Sequence, residues 1–436
     1  MVRQIFLAID RRLNLTHALQ SRLHDRRFWR NSGLLMLANL IVTGLALVRT
    51  PLMTWLLPKE QFGMLGVIAA WLPFLQLASL SGLDGATYHY VAKGQPWAFV
   101  VTLFYRLRWS LLSSAGFLAG AALWAWQGQA TLAWLFAITG LTYPVTTGMT
   151  ASAGMLGAQE KFRSLFWYRI GESLTDFAGF IPLALSAWWV SQVVTFYAAN
   201  QLATALMQAG VSFWIAWQLG RLRAPRLPVA DERSMLQYGK HLTVMNGIGV
   251  VQTRTDALVV GSFLPLSTMA DYSIALIVYE QFKRLWVIYG SVRYPPLVRL
   301  PAGPRFRRMI KEGVLVWTGF ALAGLVLALL ARLLIPIFLP PSYAGSFLYI
   351  DWLLAAFVVG VPGFLAEMYF RTQQDEKRQY AMRSTAAMVG LILPAALVFR
   401  WGAAGVVFGR FLASLTLSLA GVWLALRWHK ELSQSK

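Results

Sequence analysis

Apolar stretches of about twenty residues recur from one end of this chain to the other, and they limit its fold more than any other feature. A helix rises about 1.5 Å per residue, so such a stretch crosses the roughly 30 Å hydrocarbon core of a bilayer. Within lipid every backbone N–H and C=O must be bonded internally, which leaves helices as the form these stretches can take. Twelve spans can be read, over 33–57, 61–83, 101–126, 130–157, 163–186, 188–219, 241–264, 271–294, 313–339, 345–370, 381–399 and 402–426. Hydrophobic residues are 57% of the 436 and charged ones only 13%, outside the usual soluble range. The expected fold class is an all-α polytopic membrane protein with about 12 transmembrane helices.

The net charge of +21 raises the question of a nucleic-acid partner, and the placement of the charges answers it. Of the 39 Lys and Arg, only Lys59 and Arg400 fall in odd-numbered loops, and Arg49, Arg254, Arg332 and Arg410 lie deep in spans. All the others sit in the amino-terminal tail, the carboxyl-terminal tail, or the even-numbered loops with the inward halves of the spans beside them. That asymmetry follows the positive-inside rule with both termini cytoplasmic. The basic balance therefore reports topology, and no nucleic-acid partner is expected. Residues 1–31 lack the apolar core and cleavage site of a secretory signal. Val2, Ile5, Phe6, Ile9 and Leu13 recur there at helical spacing among Arg3, Arg11 and Arg12, which fits either an interfacial amphipathic helix or a solvated basic tail.

The longest hydrophilic interruption, 221–240, divides the chain into an N-lobe of six spans over 32–220 and a C-lobe of six over 241–427, followed by a tail at 428–436. Blocks of six begin on the same side, so an internal repeat would be parallel. Some sign of one is present. Arg49-Thr50 precedes Leu57-Pro58 by eight residues and Arg254-Thr255 precedes Leu264-Pro265 by ten; the following spans open on Phe62-Gly63 and Asp271-Tyr272. The outward loops are all short, leaving no room for an outer catalytic domain. Trp124, Trp126, Trp134, Trp188, Trp189 and Trp401 fall near the expected outer boundary, as an aromatic belt would.

Ionisable residues inside spans are costly and commonly mark substrate or ion routes. Arg254 and Asp256 are two positions apart, roughly 200° around a helix, so each needs a partner on another helix or water in a cavity. Glu172 and Asp176 are four apart and share a face. Their repulsion requires an Arg such as Arg49 or Arg169, a bound cation, or a proton on one of them. Coupling to protons or sodium and plain counter-charge are both open. Arg332, Glu367 and Arg410 are single polar residues in the ninth, tenth and twelfth spans, and Glu367 could pair with Arg371 four residues on. Enzyme signals are missing. Cysteine is absent, which excludes disulfides and cysteine-based metal sites. His17, His24, His89, His241 and His429 show no metal-ligand spacing, and no Walker-type loop is present. No cofactor, no metal and no enzymatic activity are expected.

Several passages resemble one known family. They are Asn31–Trp71, with "LVRTPLMTWLLPKEQFG" inside it, "LSGLDGATYHYVAKG" at Leu80–Gly94 and "GMLGAQEKFRSLFWYRIGESL" at Gly154–Leu174. To these are added "QTRTDALVVGSFLPLSTMADYSIALIVYE" at Gln252–Glu280 and "WGAAGVVFGRFLASL" at Trp401–Leu415. The chain is similar over nearly its whole length to the polysaccharide-exporter and O-antigen flippase family, within the multidrug/oligosaccharidyl-lipid/polysaccharide exporter superfamily. The Arg-x-Asp helix followed by a Tyr-opened span is the most specific feature. This resemblance implies two six-helix lobes around a central cavity and alternating access. It implies as substrate a polyprenyl-pyrophosphate-linked oligosaccharide, moved across a bacterial inner membrane alongside other polysaccharide assembly proteins. Arg49, Arg254, Arg332 and Arg410, with Asp256 holding Arg254 when the site is empty, are the expected pyrophosphate and cavity residues. If the two lobes contribute equivalent halves of one site, Arg49→Ala and Arg254→Ala should behave alike. Glu172, Asp176 and Glu367 are the expected coupling or counter-charge residues. The acidic pair departs from a purely cationic cavity and keeps a second reading open, a cation-coupled multidrug antiporter. A membrane glycan polymerase or ligase is a third, disfavoured by the short outer loops.

Overall fold

The computed structural model describes residues 26–185, 191–221, 227–298, 302–373 and 375–434. Most of the amphipathic segment expected over 1–31, together with Ala187, Trp188 and Trp189, lies outside them. Among the described residues the chain is all helical, as the sequence requires. The N-lobe comprises α1 (Arg26–Leu56), α2 (Lys59–Ala78), α3 (Leu83–Ala92), α4 (Ala98–Trp126), α5 (Ala130–Thr146), α6 (Ser152–Ala158), α7 (Phe162–Thr175), α8 (Phe180–Ala184) and α9 (Gln192–Arg221). The C-lobe comprises α10 (Val229–Phe263), α11 (Leu266–Val298), α12 (Ala302–Phe338), a 3-10 turn (Pro341–Tyr343), α13 (Ser346–Thr372) and α14 (Glu376–Gln434). The polar stretch read as a linker over 221–240 is helical from Val229 onward, as the first turns of α10.

Among the described residues five stretches are long and apolar enough to cross a membrane on length and composition: Gly33–Leu56, Lys59–Ala78, Met309–Phe338, Ser346–Thr372 and Lys377–Trp428. The last holds two spans. Its helix breaks at Gly402, whose φ of 57° and ψ of −137° lie in a region that L side chains avoid. The fourth and fifth spans differ from the expectation, since each divides into two shorter helices. The breaks follow local chemistry. The Thr- and Gly-rich stretch 146–151, of low helix propensity, ends α5 two residues after Pro144. The α7–α8 break runs through Asp176, whose side chain is drawn into an ion pair with Arg49.

Within the N-lobe α1 packs on α7, and α4 and α9 pack on α5; within the C-lobe α14 packs on α13 and α10, and α13 also meets α11 and α12. The lobes join where α2 lies against α10 and α11, and where α3 meets α10. One glycine shows how close that seam is. A Cβ on Gly63 would sit 2.0 Å from the Leu266 carbonyl oxygen, so no other residue fits there without moving α11. The largest buried cluster runs through both lobes, with Phe117, Phe136 and Tyr143 on one side and Tyr272, Phe282 and Phe357 on the other. Many large apolar side chains of α12, among them Leu315, Leu325 and Leu333, are exposed, as a lipid-facing helix requires. Trp126, Trp134 and Trp401 are exposed as well, whereas Trp124 packs against the core.

Candidate functional site

Arg254 and Asp256 leave α10 on different faces, and the structure gives each a separate partner. Asp256 does not hold Arg254. Its side chain is buried at 2% exposure and accepts from Arg410 Nη1 and from the Tyr272 hydroxyl. Arg410 Nη1 also donates to the Thr253 carbonyl at 3.0 Å, and the guanidinium lies 4.5 Å from the centre of the Tyr279 ring. This network ties α10, α11 and α14 together through the buried side chains of Asp256, Tyr272, Tyr279 and Arg410. Arg254 instead meets Glu280 of α11, Nη2 to Oε1 at 2.8 Å, and Lys283 Nζ lies 3.6 Å from the other oxygen of Glu280.

Arg254 opens onto a cavity of about 590 Å³ between the lobes. Gln76, Leu77 and Ser81 line it from α2 and the turn beyond, Asn246, Gly249, Val250 and Thr253 from α10, Lys283 from α11 and Arg383 from α14. Its charged lining residues, Arg254, Lys283 and Arg383, are all cationic. Arg383 pairs with Glu367 through its Nη2. The sequence offered Arg371, four residues on, as one partner for Glu367; the α13–α14 packing brings Arg383 across to it. Glu280 and Glu367 are not among the lining residues, so the cavity meets the cations first and their carboxylates behind them. Each carboxylate lowers the cost of holding a cation at depth and fixes its position, while most guanidinium N–H donors are left over for a ligand.

A second cavity of about 540 Å³ lies within the N-lobe, between α1, α7 and α9. Asn39, Arg49, Arg169, Glu172, Asp176 and Thr204 are among its lining. Arg49 pairs with Asp176, one of the two partners weighed from the sequence. Arg169 Nη1 donates to Asn39 Oδ1 at 2.9 Å, and Glu172 Oε1 accepts from Gln208 Nε2 at 3.4 Å. Arg49 and Arg254 thus line different cavities, which share no lining residue. Their similar depth in consecutive repeats does not set the direction each helix face points. Arg332 pairs with Asp351 at 2.5 Å with side chains 53% and 38% exposed, and neither it nor the buried Arg410 lines either cavity. Arg383 escaped the sequence reading because it sits near the start of the 381–399 span, and Lys283 because it was grouped with the basic loop that follows, although it falls midway along the 271–294 span. Among the described residues no cluster of His, Asp and Glu could hold a metal ion.

The sequence profile of the polysaccharide biosynthesis protein family matches residues 28–300. The chain belongs to this family. No curated protein sequence matches it. Solved structures with the same fold include an inward-facing MATE-family multidrug resistance transporter of the MOP superfamily (TM-score 0.67, 11% identity, covering 91% of this chain and 96% of that one). The lipid II flippase MurJ in an inward closed conformation is another (TM-score 0.59, 14% identity, covering 89% and 86%). A third is a MOP superfamily transporter from Pyrococcus furiosus, described as having a binding pocket of reverse polarity (TM-score 0.52, 12% identity, covering 92% and 94%). At such identities the likeness establishes the fold. This polysaccharide biosynthesis family member is therefore a multipass membrane protein with a MOP superfamily transporter fold.

Proposed function

We propose that this protein is a flippase that moves a polyprenyl-pyrophosphate-linked oligosaccharide across the inner membrane by alternating access, with its pyrophosphate held by Arg254, Lys283 and Arg383. The observation that carries this reading is the sign of the inter-lobe cavity, whose charged lining residues are all cationic. A lipid pyrophosphate carries two or more negative charges and cannot cross hydrocarbon bare. Guanidinium groups match its oxygens with paired, charge-assisted hydrogen bonds, and an ammonium adds a compact third charge. Placement between the lobes is where a rocking motion of one lobe against the other changes access from one side to the other. Membership of the polysaccharide biosynthesis family supports a glycan cargo.

A cation-coupled multidrug antiporter is the second reading. The N-lobe cavity favours it, because Glu172 and Asp176 line that space and could bind a coupling ion. The two readings separate in a deletion strain. A flippase deletion accumulates lipid-linked oligosaccharide on the cytoplasmic leaflet and loses surface glycan, and complementation with an Arg254→Ala, Arg383→Ala double variant fails to restore it. Normal surface glycan in the deletion strain, with increased drug susceptibility, would reject the flippase in favour of the antiporter.

A further inference from the structure

Lys59 is one of the two basic residues that the charge asymmetry leaves in an odd-numbered loop, and the proposed function makes no use of it. In the structure it opens α2 and reaches across the seam into the C-lobe. Its Nζ lies 2.8 Å from Asp271 Oδ2 on α11 and 2.5 Å from the Ser342 carbonyl oxygen in the 3-10 turn, and 5.4 Å from the centre of the Tyr343 ring. Two neighbours of Lys59 make the same crossing. The Trp55 indole N–H donates to the Phe338 carbonyl at 2.9 Å, and Phe62 meets Tyr343 edge-on at 5.9 Å. The α1–α2 turn is therefore fastened to three C-lobe elements at the end of the bundle that carries the short odd-numbered loops.

We infer that this turn is a latch that closes the Lys59 end of the inter-lobe cavity, and that Lys59 must leave Asp271 before the cavity can open on that side. The side chain of Asp271 is only 11% exposed and that of Lys59 only 22%, so the pair is shielded from screening by salt and water. Beneath it Asp271 Oδ1, the Tyr343 hydroxyl and Ser346 Oγ are buried without hydrogen-bond partners. Unsatisfied polar atoms penalise the closed seam. Opening would hydrate them, so the closed form depends on the Lys59 contacts to offset that penalty. Such a balance suits a seam that must part in each transport cycle: the latch is strong in one state and has water as its alternative in the other. The inference concerns any alternating-access cargo and does not depend on the ligand being a pyrophosphate.

The native absence of cysteine permits a direct test in the full-length protein. Gly249 lines the cavity and a Cβ there meets nothing within 4 Å, so Gly249→Cys serves as a reporter. In sealed vesicles its labelling by a membrane-impermeant maleimide is measured from the Lys59 face and from the opposite face. Lys59→Ala should raise the rate from the Lys59 face at least tenfold, equivalent to about 1.4 kcal/mol of latch energy. The charge exchange Lys59→Asp with Asp271→Lys should bring the rate back toward the native value. Separately, a Lys59→Cys, Asp271→Cys pair bridged by a short, reducible bis-methanethiosulfonate reagent should stop transport reversibly, since the reach of the lysine side chain exceeds that of a disulfide. An unchanged rate in Lys59→Ala, or full transport by the cross-linked pair, would overturn the latch. Equal rises from both faces in Lys59→Ala that the charge exchange does not reverse would mean general loosening, and would overturn it too. Loss of transport in Arg254 variants with the latch results intact would leave this inference standing beside either function.

Discussion

Two arginines on the same lobe should respond in opposite ways to the same substitution. Arg410 and Asp256 have side-chain exposures of 6% and 2%, and Arg254 and Glu280 have 29% and 30%. Arg410→Ala leaves the Asp256 carboxylate buried with only the Tyr272 hydroxyl for company. Removing one partner of a buried pair typically costs about 3–5 kcal/mol. Arg254→Ala leaves Glu280 partly hydrated and with Lys283 Nζ still 3.6 Å away, so its loss resembles that of a surface pair, about 0–1 kcal/mol. The difference between the two variants should be at least about 2 kcal/mol, read as the separation of denaturation midpoints of the purified proteins in detergent. Transport should follow the reverse order relative to protein made. Arg254→Ala should be stable and inactive. For Arg410, the informative variant removes the whole network: Asp256→Leu, Arg410→Met and Tyr272→Phe together delete both charges and the hydroxyl that would lose its acceptor. Replacing a buried pair by apolar residues of similar volume is often neutral or stabilising, so this triple variant should fold and transport. An unstable Arg254→Ala, a stable Arg410→Ala, or a well-folded triple variant without transport would refute this division between a structural and a ligand-binding arginine.

Other consequences are more quickly stated. Single cysteines at Gln127 and Ser342 should react with an impermeant thiol reagent from outside intact cells, and a cysteine at Ala230 should not; reversed labelling would sink the orientation expected from the charge asymmetry. Replacing Glu172 and Asp176 by Gln and Asn should abolish transport in a folded protein if they bind a coupling cation, and should lower the amount of protein made if Asp176 serves only to neutralise Arg49. An active, stable double variant would remove both roles. Gly63→Ala should reduce transport severely, because its Cβ would meet backbone 2.0 Å away at Leu266 and force the lobes apart, and full activity would contradict the seam.

The helices were legible because lipid imposes one rule on the backbone, and apolar runs of sufficient length leave no other solution. At that level the reading departs from the structure at the fourth and fifth spans, where composition stays apolar while the helix breaks around Gly148 and Asp176, and at Leu83–Ala92 and 229–240, where helix forms in stretches read as loop. Charges were legible as present and not as paired. The spacing of Arg254 and Asp256 correctly required two partners on other helices, but Glu280 and Arg410 lie 26 and 154 residues further on from the residues they meet. No local pattern announces a contact across such a separation. Lys283 and Arg383 show a different failure. A cation in the inward half of a span has the same sequence signature whether it orients the helix or faces a cavity, and only the packing of α2 against α10 and α11 decides between the two.

That packing also bears on why the proposed site keeps carboxylates at all. Three bare cations in a cavity of about 590 Å³ would repel one another and would each carry a desolvation cost. Glu280, shared by Arg254 and Lys283, and Glu367, held by Arg383, offset much of that cost in the empty protein. They do so from behind, leaving a positive surface for a ligand. The same arrangement limits affinity, because an arriving anion must share each cation with a resident carboxylate. A transporter needs such a limit: it must bind its cargo on one side and release it on the other, and a site of unopposed arginines would hold a pyrophosphate too tightly to turn over. Glu280→Gln should therefore tighten binding of the lipid pyrophosphate and slow its release, giving lower transport with more substrate retained on the purified protein. Weaker retention in Glu280→Gln, with the fold intact, would mean that Glu280 chiefly positions Arg254 and Lys283 and does not compete with the ligand for them.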